Sequence, residues 1–224
     1  EARAEFGKPS LTATFSGSSR PNDRSSRILC AFHEDILVAT ATLTFPESED
    51  SHLHCQTGFP ASDLPAWIPL KQEIIEVHSI CIRREYRRGD LLSTLLEHIA
   101  RAFVLSDRKY VLMVCRPDDL SCYRKIGFRE RGPGYENRNG RLHLVFLDKE
   151  TVLLGRGVAT GLWLSLFGDL AEDLVSKDMI EFGAWKSIYV KARLGMKSWL
   201  QPRVKAQTDS LLQGLLTQTG GQRK

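Results

Sequence analysis

The segment from residue 72 to residue 128 constrains the fold more than any other part of the chain. Residues 72–82 are apolar and rich in β-branched side chains, which predicts an interior strand. The arginine-rich turn 83–89 follows, and Asp90 is placed to cap a helix with a leucine-rich apolar face. A second strand and a short helix that contains Tyr123 complete the segment. Because helices that connect strands cover the faces of a sheet, this order predicts an α/β fold.

The turn at 83–89 predicts an anion site. Unpaired backbone N–H groups at a helix N-terminus and the helix dipole both attract negative charge. Four arginines in this turn add formal positive charge, so we expect a phosphorylated group to bind there. The net charge of the whole chain is only +4, which argues against a nucleic-acid partner.

Turn signals and apolar runs organise the rest of the chain. Residues 27–33 and 36–45 flank the polar pair Glu34-Asp35 and predict an antiparallel hairpin. Residues 46–71 carry four prolines without periodicity, which predicts a long excursion that is functional or mobile. Residues 141–147 predict a closing strand, and residues 11–15 predict a short one. We therefore expect three parts: a polar N-terminal segment (1–26), an α/β domain (27–148) and a C-terminal helical extension (149–224).

Two runs in the α/β segment resemble the GNAT superfamily of N-acyltransferases. They are Tyr86-Arg87-Arg88-Gly89 before the leucine-rich helix, and Leu120-Ser121-Cys122-Tyr123-Arg124-Lys125-Ile126-Gly127-Phe128. In that family the turn holds the phosphates of an acyl-pantetheine donor, and a Tyr-x-x-x-Gly-Phe segment closes the site. The resemblance implies a mixed, mostly antiparallel sheet flanked by helices. It also implies a set of donor-binding residues, which are Ile80, Ile82, Arg87, Arg88, Gly89 and Asp90.

A second resemblance narrows the branch. The run Ile74-Ile75-Glu76-Val77-His78-Ser79 is similar to the Glu-x-Ser-Arg region of acyl-homoserine-lactone synthases and N-acyl amino acid synthases. Glu76 matches the glutamate of that motif, whereas His78 and Ser79 occupy the places of its serine and arginine. The long proline-bearing excursion before the strand is also similar to that branch. The resemblance implies transfer of a long acyl chain to an amine such as an amino acid.

Acyl transfer to an ammonium group needs a proton acceptor, and the predicted strand offers two candidates. Strand alternation places Glu76 and His78 on one face, together with Ile80. Glu76 is the first candidate for the base, and the alternative is a structural ion pair with a nearby arginine. His78 is the second candidate, and the alternative of a structural histidine is favoured for it. The resemblance makes Tyr123 the acid for the leaving sulfur, and the alternative is packing beside Phe128.

The turn also bears on the acyl donor. The usual family pattern is Arg/Gln-x-x-Gly-x-Gly/Ala, and Asp90 and Leu92 stand here in place of the glycines. A pyrophosphate needs close backbone approach, so this turn favours the single phosphodiester of carrier-protein pantetheine. Acyl carrier proteins are acidic, and arginines attract them. We expect an acyl carrier protein partner, an amine acceptor and no tightly bound cofactor, with acyl-coenzyme A as the other donor.

Two other functions remain open at this point. One is an acetyl-coenzyme A-dependent GNAT acetyltransferase, against which the altered turn argues. The other is a non-catalytic GNAT-like module that binds an acyl ligand or a membrane, against which the presence of both Glu76 and Tyr123 argues. His52-x-His54-Cys55 has the residue types of a metal site, but one such cluster rarely closes a site, so we expect no metal.

The C-terminal part predicts two amphipathic helices. One apolar face comprises Trp163, Leu166, Phe167, Leu170 and Leu174, and the other comprises Trp185, Ile188, Tyr189, Ala192, Met196, Trp199 and Leu200. Residues 185–205 carry six basic side chains and no acidic one, which is typical of a helix at a membrane surface or an acidic partner. Packing of both faces on the domain is the favoured alternative. Five cysteines without a pairing pattern predict a cytoplasmic location, with peripheral contact at the inner membrane surface as an extension of it.

Overall fold

The computed structural model describes residues 16–17, 25–57, 70–87, 91–130, 132, 134–137, 140–177 and 183–197. Its strands are β1 (Ser16–Gly17), β2 (Ser26–His33), β3 (Ile36–Thr44), β4 (Ile74–Ile82), β5 (Tyr110–Cys115), β6 (Arg129–Glu130), β7 (Tyr135–Asn137) and β8 (Gly140–Asp148). Its helices are α1 (Leu91–Leu105), α2 (Pro117–Lys125), α3 (Lys149–Leu154), α4 (Thr160–Ser176) and α5 (Ala184–Gly195).

The sheet confirms the predicted fold class. Its order is β1-β2-β3-β4-β5-β8-β6, and β7 pairs with β8. β4 and β5 run parallel, and the other pairs of neighbouring strands are antiparallel. The predicted hairpin is β2–β3, and its turn residues Glu34 and Asp35 have φ values of 48° and 63°. Two left-handed residues match the right-handed twist of a hairpin. The strand predicted at 11–15 lies outside the described residues.

The main hydrophobic core lies between one face of the sheet and the helices. Ile75 and Val77 of β4 enter it from the sheet, and Phe103 enters it from α1. Trp163 of α4 is fully buried there, and its indole Nε1 donates a hydrogen bond to the carbonyl oxygen of Val152 at 2.7 Å. The predicted apolar face of α4 is therefore a core face.

A smaller hydrophobic cluster covers the opposite face of the sheet. It consists of Leu53, Cys55, Ile74, Leu112 and Leu144. Successive side chains of a strand point to opposite faces, and Ile74 directly precedes Ile75 of the main core. The excursion after β3, through the short 3₁₀ helix His54–Thr57, therefore packs on the second face.

The α5 helix is attached to the rest of the protein by a few side chains. Val190 and Arg193 are buried, whereas Trp185 is 84% exposed and Ile188 is 57% exposed. Tyr189 and Met196 are exposed as well, and the predicted members Trp199 and Leu200 lie outside the described residues. Most of the predicted apolar face of α5 thus does not pack on the described part of the domain.

The basic residues of α5 are mostly engaged. The Lys186 ammonium lies 2.7 Å from a carboxylate oxygen of Glu150. Lys197, just after the helix, pairs with both Asp169 and Glu172 of α4. Within the described ranges, no helix has the length and hydropathy that a bilayer-spanning segment requires.

Candidate functional site

Strands β4 and β5 part from each other in the middle of the sheet. They pair in parallel from Ile74 to Glu76 of β4, and the ladder ends where Glu76 lies opposite Leu112. β4 nevertheless continues to Ile82 and β5 to Cys115, and this last part of β5 pairs with β8 on its other side. Beyond Glu76 the two strands therefore leave a gap lined by backbone N–H and C=O groups. A narrow polar chain that has amide groups of its own can pair with such groups.

A β-bulge interrupts β4 beside this gap. Cys81 lies opposite Thr40 of β3 and His78 lies opposite Thr42, so three steps along β4 match two steps along β3. Ser79, inside the bulge, has a left-handed φ of 53° and is exposed. A bulge inserts one unpaired residue and re-aims the side chains that follow it.

The bulge corrects the predicted alternation of β4. Ile80 and Ile82 contact the main core, on the same side of the sheet as Ile75 and Val77. Ile80 therefore does not share a face with Glu76, because the extra residue of the bulge changes the phase of the strand. The predicted role of Ile80 and Ile82 in donor binding stays a prediction.

The Glu76 carboxylate is buried and bound by the excursion that follows β3. Its side chain is 1% exposed. One oxygen accepts a hydrogen bond from the backbone N–H of His54 at 2.5 Å, and the other accepts one from the backbone N–H of Cys55 at 2.6 Å. In the described part of the chain, backbone amides thus bind Glu76 where the ion-pair alternative placed an arginine. Such donors carry no side-chain signature, so the sequence could not reveal them.

His78 lies in a chain of hydroxyl groups that crosses three strands. Its Nε2 is 3.1 Å from the Thr44 hydroxyl, and its Nδ1 is 3.0 Å from the Ser79 hydroxyl. The Thr44 hydroxyl is in turn 2.9 Å from the Ser26 hydroxyl. The imidazole also stacks on that of His54, with 4.3 Å between the ring centroids. His78 is half-buried, so it is both fixed by neighbours and accessible.

The Cys55 thiol and the Tyr135 phenol, both near Glu76, stay protonated around neutral pH. Burial raises the pKa of the Cys55 thiol, and the Glu76 carboxylate raises it further. Burial also raises the pKa of the Tyr135 phenol, and negative charge on Cys55 or Glu76 adds to the effect. Among the described residues, no cluster of three metal-ligating side chains is found.

Tyr123 lies on α2, close to the end of β5. Its ring packs edge-on against Phe128, with 5.3 Å between the centroids, as the packing alternative predicted. Burial raises the pKa of its phenol, and charge on Cys115, Asp119 or Cys122 would raise it further. The hydroxyl therefore stays protonated around neutral pH. Packing and protonation do not show that this hydroxyl donates its proton to the leaving sulfur, so the role of Tyr123 as an acid stays a prediction.

The arginine-rich turn is described in part. Arg83 and Arg84 are exposed, and Arg87 is half-buried with its Nε donating a hydrogen bond to the carbonyl oxygen of Ile82 at 3.0 Å. The remaining predicted donor-binding residues of the turn lie outside the described residues; they are Arg88, Gly89 and Asp90.

Helix α1 follows directly and buries Leu91 and Leu92 in the main core. The Leu92 side chain therefore points into the core, so it does not obstruct the anion site as the replacement of a glycine there would suggest.

The structure brings the predicted site residues to one region only in part. Glu76 and His78 lie on β4 where the gap opens. Because β4 and β5 are parallel, their last residues lie at the same end of the sheet, where the arginine turn and Tyr123 follow them. Sequence reasoning missed Ser26, Thr44 and the amide donors of the excursion. Ser26 lies just before the predicted strand 27–33, and a bulge between β2 and β3 is what brings it opposite Thr44.

Solved structures resemble this fold at low sequence identity. FeeM, an N-acyl amino acid synthase from uncultured soil microbes, is 16% identical, with a TM-score of 0.43 over 56% of this chain and 68% of its own. BjaI, a CoA-dependent acyl-homoserine lactone synthase solved with SAM and isopentyl-CoA, is 18% identical, with a TM-score of 0.49 over 61% of this chain and 66% of its own. A probable acetyltransferase from Staphylococcus epidermidis ATCC 12228 is 13% identical, with a TM-score of 0.40 over 58% and 71%.

Sequence comparison identifies the family. No curated protein matches the chain. The family model for the N-acyl amino acid synthase FeeM matches residues 14–147, which is more than half of the chain. This range contains the whole sheet apart from the last residue of β8, and it contains Glu76, His78 and Tyr123. The chain belongs to the FeeM family of N-acyl amino acid synthases and is an acyltransferase.

Proposed function

We propose that this acyltransferase moves a long acyl chain from a carrier-protein thioester to the α-amino group of an amino acid. The observation that carries the proposal is the position of Glu76 and His78 beside the point where β4 and β5 part. The gap suits a pantetheine arm, because that arm is narrow, extended and has two amide groups. A group that accepts a proton is needed next to the thioester, where the amine attacks.

The donor is proposed from the charge of the turn. Arg83 and Arg84 are exposed at the end of β4, where the gap opens. Exposed arginines attract an acidic carrier protein and raise its rate of association. Acyl-coenzyme A presents only its own phosphates to the same turn. We therefore propose the carrier protein as the main donor, with no tightly bound cofactor. In this proposal, the pantetheine arm and its phosphate contact Ile80, Ile82 and residues 87–90.

One assay distinguishes the proposed function from its alternatives. The purified protein is incubated with a long-chain acyl carrier protein, with the matching acyl-coenzyme A and with acetyl-coenzyme A, each with a mixture of amino acids. Mass spectrometry is expected to find an N-acyl amino acid, formed fastest from the carrier protein. Product from acetyl-coenzyme A alone would support the acetyltransferase alternative. Tight binding of an acyl chain without product from any donor would support the non-catalytic module.

We also propose that α5 contacts a lipid surface through its apolar side chains. Trp185, Ile188, Tyr189 and Met196 are exposed together on this helix, and aromatic side chains of this kind are enriched at membrane interfaces. A long-chain product is poorly soluble, so release beside lipid is favourable. The ion pairs of Lys186 and Lys197 reduce the positive charge that α5 offers to anionic lipid. A cytoplasmic location at the inner membrane surface is part of this proposal.

A further inference from the structure

The environment of Glu76 suits a residue that holds the backbone in place. Each of its carboxylate oxygens already accepts a hydrogen bond from a backbone N–H, of His54 and of Cys55, and the side chain is 1% exposed. A substrate ammonium would have to enter beneath residues 53–57 to reach it. Bonds from two successive backbone amides fix the 3₁₀ helix on the sheet, because a buried N–H without a partner is costly.

The environment of His78 suits a residue that accepts a proton. It lies two residues further along β4, next to the gap, and is half-buried. One ring nitrogen faces the buried Thr44 hydroxyl, and the other faces the exposed Ser79 hydroxyl. The bulge that gives Ser79 its left-handed φ is what places the hydroxyl beside Nδ1 on the accessible side.

We propose that His78 takes the proton from the acceptor amine through the Ser79 hydroxyl, and that Glu76, Thr44 and Ser26 are positioning residues. Thr44, backed by Ser26, accepts the Nε2–H bond of His78 and leaves the Nδ1 lone pair facing Ser79. Glu76 holds His54, which stacks on the His78 ring. The inference rests on the proposed transfer of an acyl group to an amine.

The protons balance in three steps. The ammonium gives one proton to the Ser79 oxygen while Ser79 gives its own to Nδ1, which leaves a neutral amine and an imidazolium. The amine nitrogen then attacks the thioester carbonyl, so that the C–N bond forms and the C–S bond breaks. The nitrogen loses its second proton as the thiolate gains one, and the imidazolium later returns its proton to solvent. The net products are an amide, a thiol and one proton.

Neighbouring groups favour the charged intermediate state. Two titratable groups near the His78 ring are His54, which stacks on it, and Glu76, which lies two residues earlier on the same strand. A carboxylate at this place attracts an imidazolium that forms on His78. Cys55 behind it stays a neutral thiol, so it neither adds to nor opposes this effect.

Kinetics against pH distinguishes His78 from Glu76. Removing a general base typically costs about 10²–10⁴-fold in rate. His78→Ala is expected to lower the rate by this factor and to abolish the fall in rate at acid pH. Added imidazole is expected to restore part of its activity. His78→Gln repeats the test with a side chain that preserves more of the packing. Ser79→Ala is expected to slow the reaction by a smaller factor. The control is Thr42→Val, which removes a hydroxyl from the same strand as Thr44 at the position opposite His78.

Glu76→Gln tests the positioning role. An amide nitrogen would face one of the two backbone N–H groups, so the exchange of the His54 and Cys55 amide hydrogens is expected to accelerate by about tenfold or more. The fall in rate at acid pH is expected to remain. Loss of that fall with unchanged hydrogen exchange would make Glu76 the base and overturn the proposal.

Imidazole ¹⁵N shifts test the His78 chain without substrate. Free His78 is expected as the Nε2–H tautomer, and Thr44→Val is expected to shift the balance between tautomers. An Nδ1–H tautomer in the wild type, or no response to Thr44→Val, would overturn the proposal. If the wild-type protein forms no acylated amine, the proposed function fails and the proton route fails with it. If the wild type is active and His78→Ala keeps its full rate, only the proton route fails.

Discussion

Among single residues, the Arg193 side chain connects the described C-terminal helices through four hydrogen bonds. One of its terminal nitrogens donates to the carbonyl oxygens of Leu154 and Gly155 at 2.8 Å. The other donates to the Val158 carbonyl at 3.0 Å and to the Thr160 hydroxyl at 2.8 Å. These carbonyls belong to the end of α3 and to the loop that leads into α4. A single guanidinium thus ties three helices together.

Replacing Arg193 is expected to cost much stability. Hydrogen bonds to a charged group are worth about 1.5–3 kcal/mol each, and truncation would leave several buried carbonyls unpaired. Arg193→Ala is therefore expected to lower the free energy of unfolding by about 3 kcal/mol or more, measured by urea denaturation. Lys191→Ala, at an exposed position of the same helix, is the control and is expected to change it by less than about 0.5 kcal/mol. Equal midpoints for the two variants would contradict the role of Arg193.

Removing the Tyr123 hydroxyl tests its role in transfer. The ring contact with Phe128 survives in Tyr123→Phe, so the unfolding midpoint is expected to stay the same. The transfer rate is expected to fall by about 10²-fold if the hydroxyl protonates the leaving thiolate. Phe128→Leu is the control for the packing, with a lower midpoint expected. A lower midpoint for Tyr123→Phe together with an unchanged rate would make the hydroxyl structural.

At the scale of elements, features set by neighbouring residues could be predicted from the sequence, whereas the register between strands could not. The strand, turn, helix and hairpin were predicted because each depends on residues close in sequence. Counted from its turn, the hairpin would place Ser26 opposite Leu43, but a bulge moves it opposite Thr44. The bulge in β4 similarly changes the face of Ile80. Register is a property of two strands together, so the Ser26–Thr44–His78 chain could not be predicted, whereas Glu76, His78 and Tyr123 could be proposed as candidates.

The arginine turn is expected to act on the donor through charge. Arg84→Glu is expected to lower kcat/KM for an acyl carrier protein more than for acyl-coenzyme A, and the loss is expected to shrink as salt rises. Arg84 is suited to this test because it is exposed, whereas Arg87 also binds the Ile82 carbonyl. The control is Lys191→Glu, the same reversal of charge on α5. Equal losses for both donors would show a simple phosphate contact and favour coenzyme A.

The α5 helix is expected to bind vesicles through its apolar face. In co-sedimentation, Trp185→Ser is expected to weaken binding by about tenfold or more, because a large side chain leaves the lipid. Lys191→Gln is expected to matter less, by about 1 kcal/mol at most. Binding that disappears between low and physiological salt would assign the contact to charge. No sedimentation with neutral or anionic vesicles would exclude the lipid contact.

At the scale of the whole molecule, buried thiols link stability to pH. Burial raises the pKa of Cys115 to about 12 and that of Cys122 to about 11. Both values lie above about 8.5, the value of an exposed thiol in the unfolded chain. The unfolded state therefore loses protons first as pH rises, so the stability present below about pH 8.5 is lost above it.

Urea midpoints measured in reducing buffer are expected to fall between pH 8.5 and 10.5. The slope is at most about 1.4 kcal/mol per pH unit for each thiol, and solvent screening at the partly exposed Cys122 makes its share smaller. Cys115→Ala is expected to be less stable at neutral pH but to lose stability less steeply on the alkaline side. Cys81→Ala, at an exposed position, is the control. A flat midpoint over this range would show that the thiols ionise equally easily in both states.

The position of Trp163 in the main core has a consequence for synthesis of the protein. Helix α1 covers part of the apolar face of the sheet, and α4, which ends at Ser176 after β8, completes the core with Trp163. A nascent chain that has emerged only as far as β8 exposes the apolar side chains that α4 later covers. The main core can therefore be completed only after α4 leaves the ribosome. Until then, we expect the growing chain to bind chaperones.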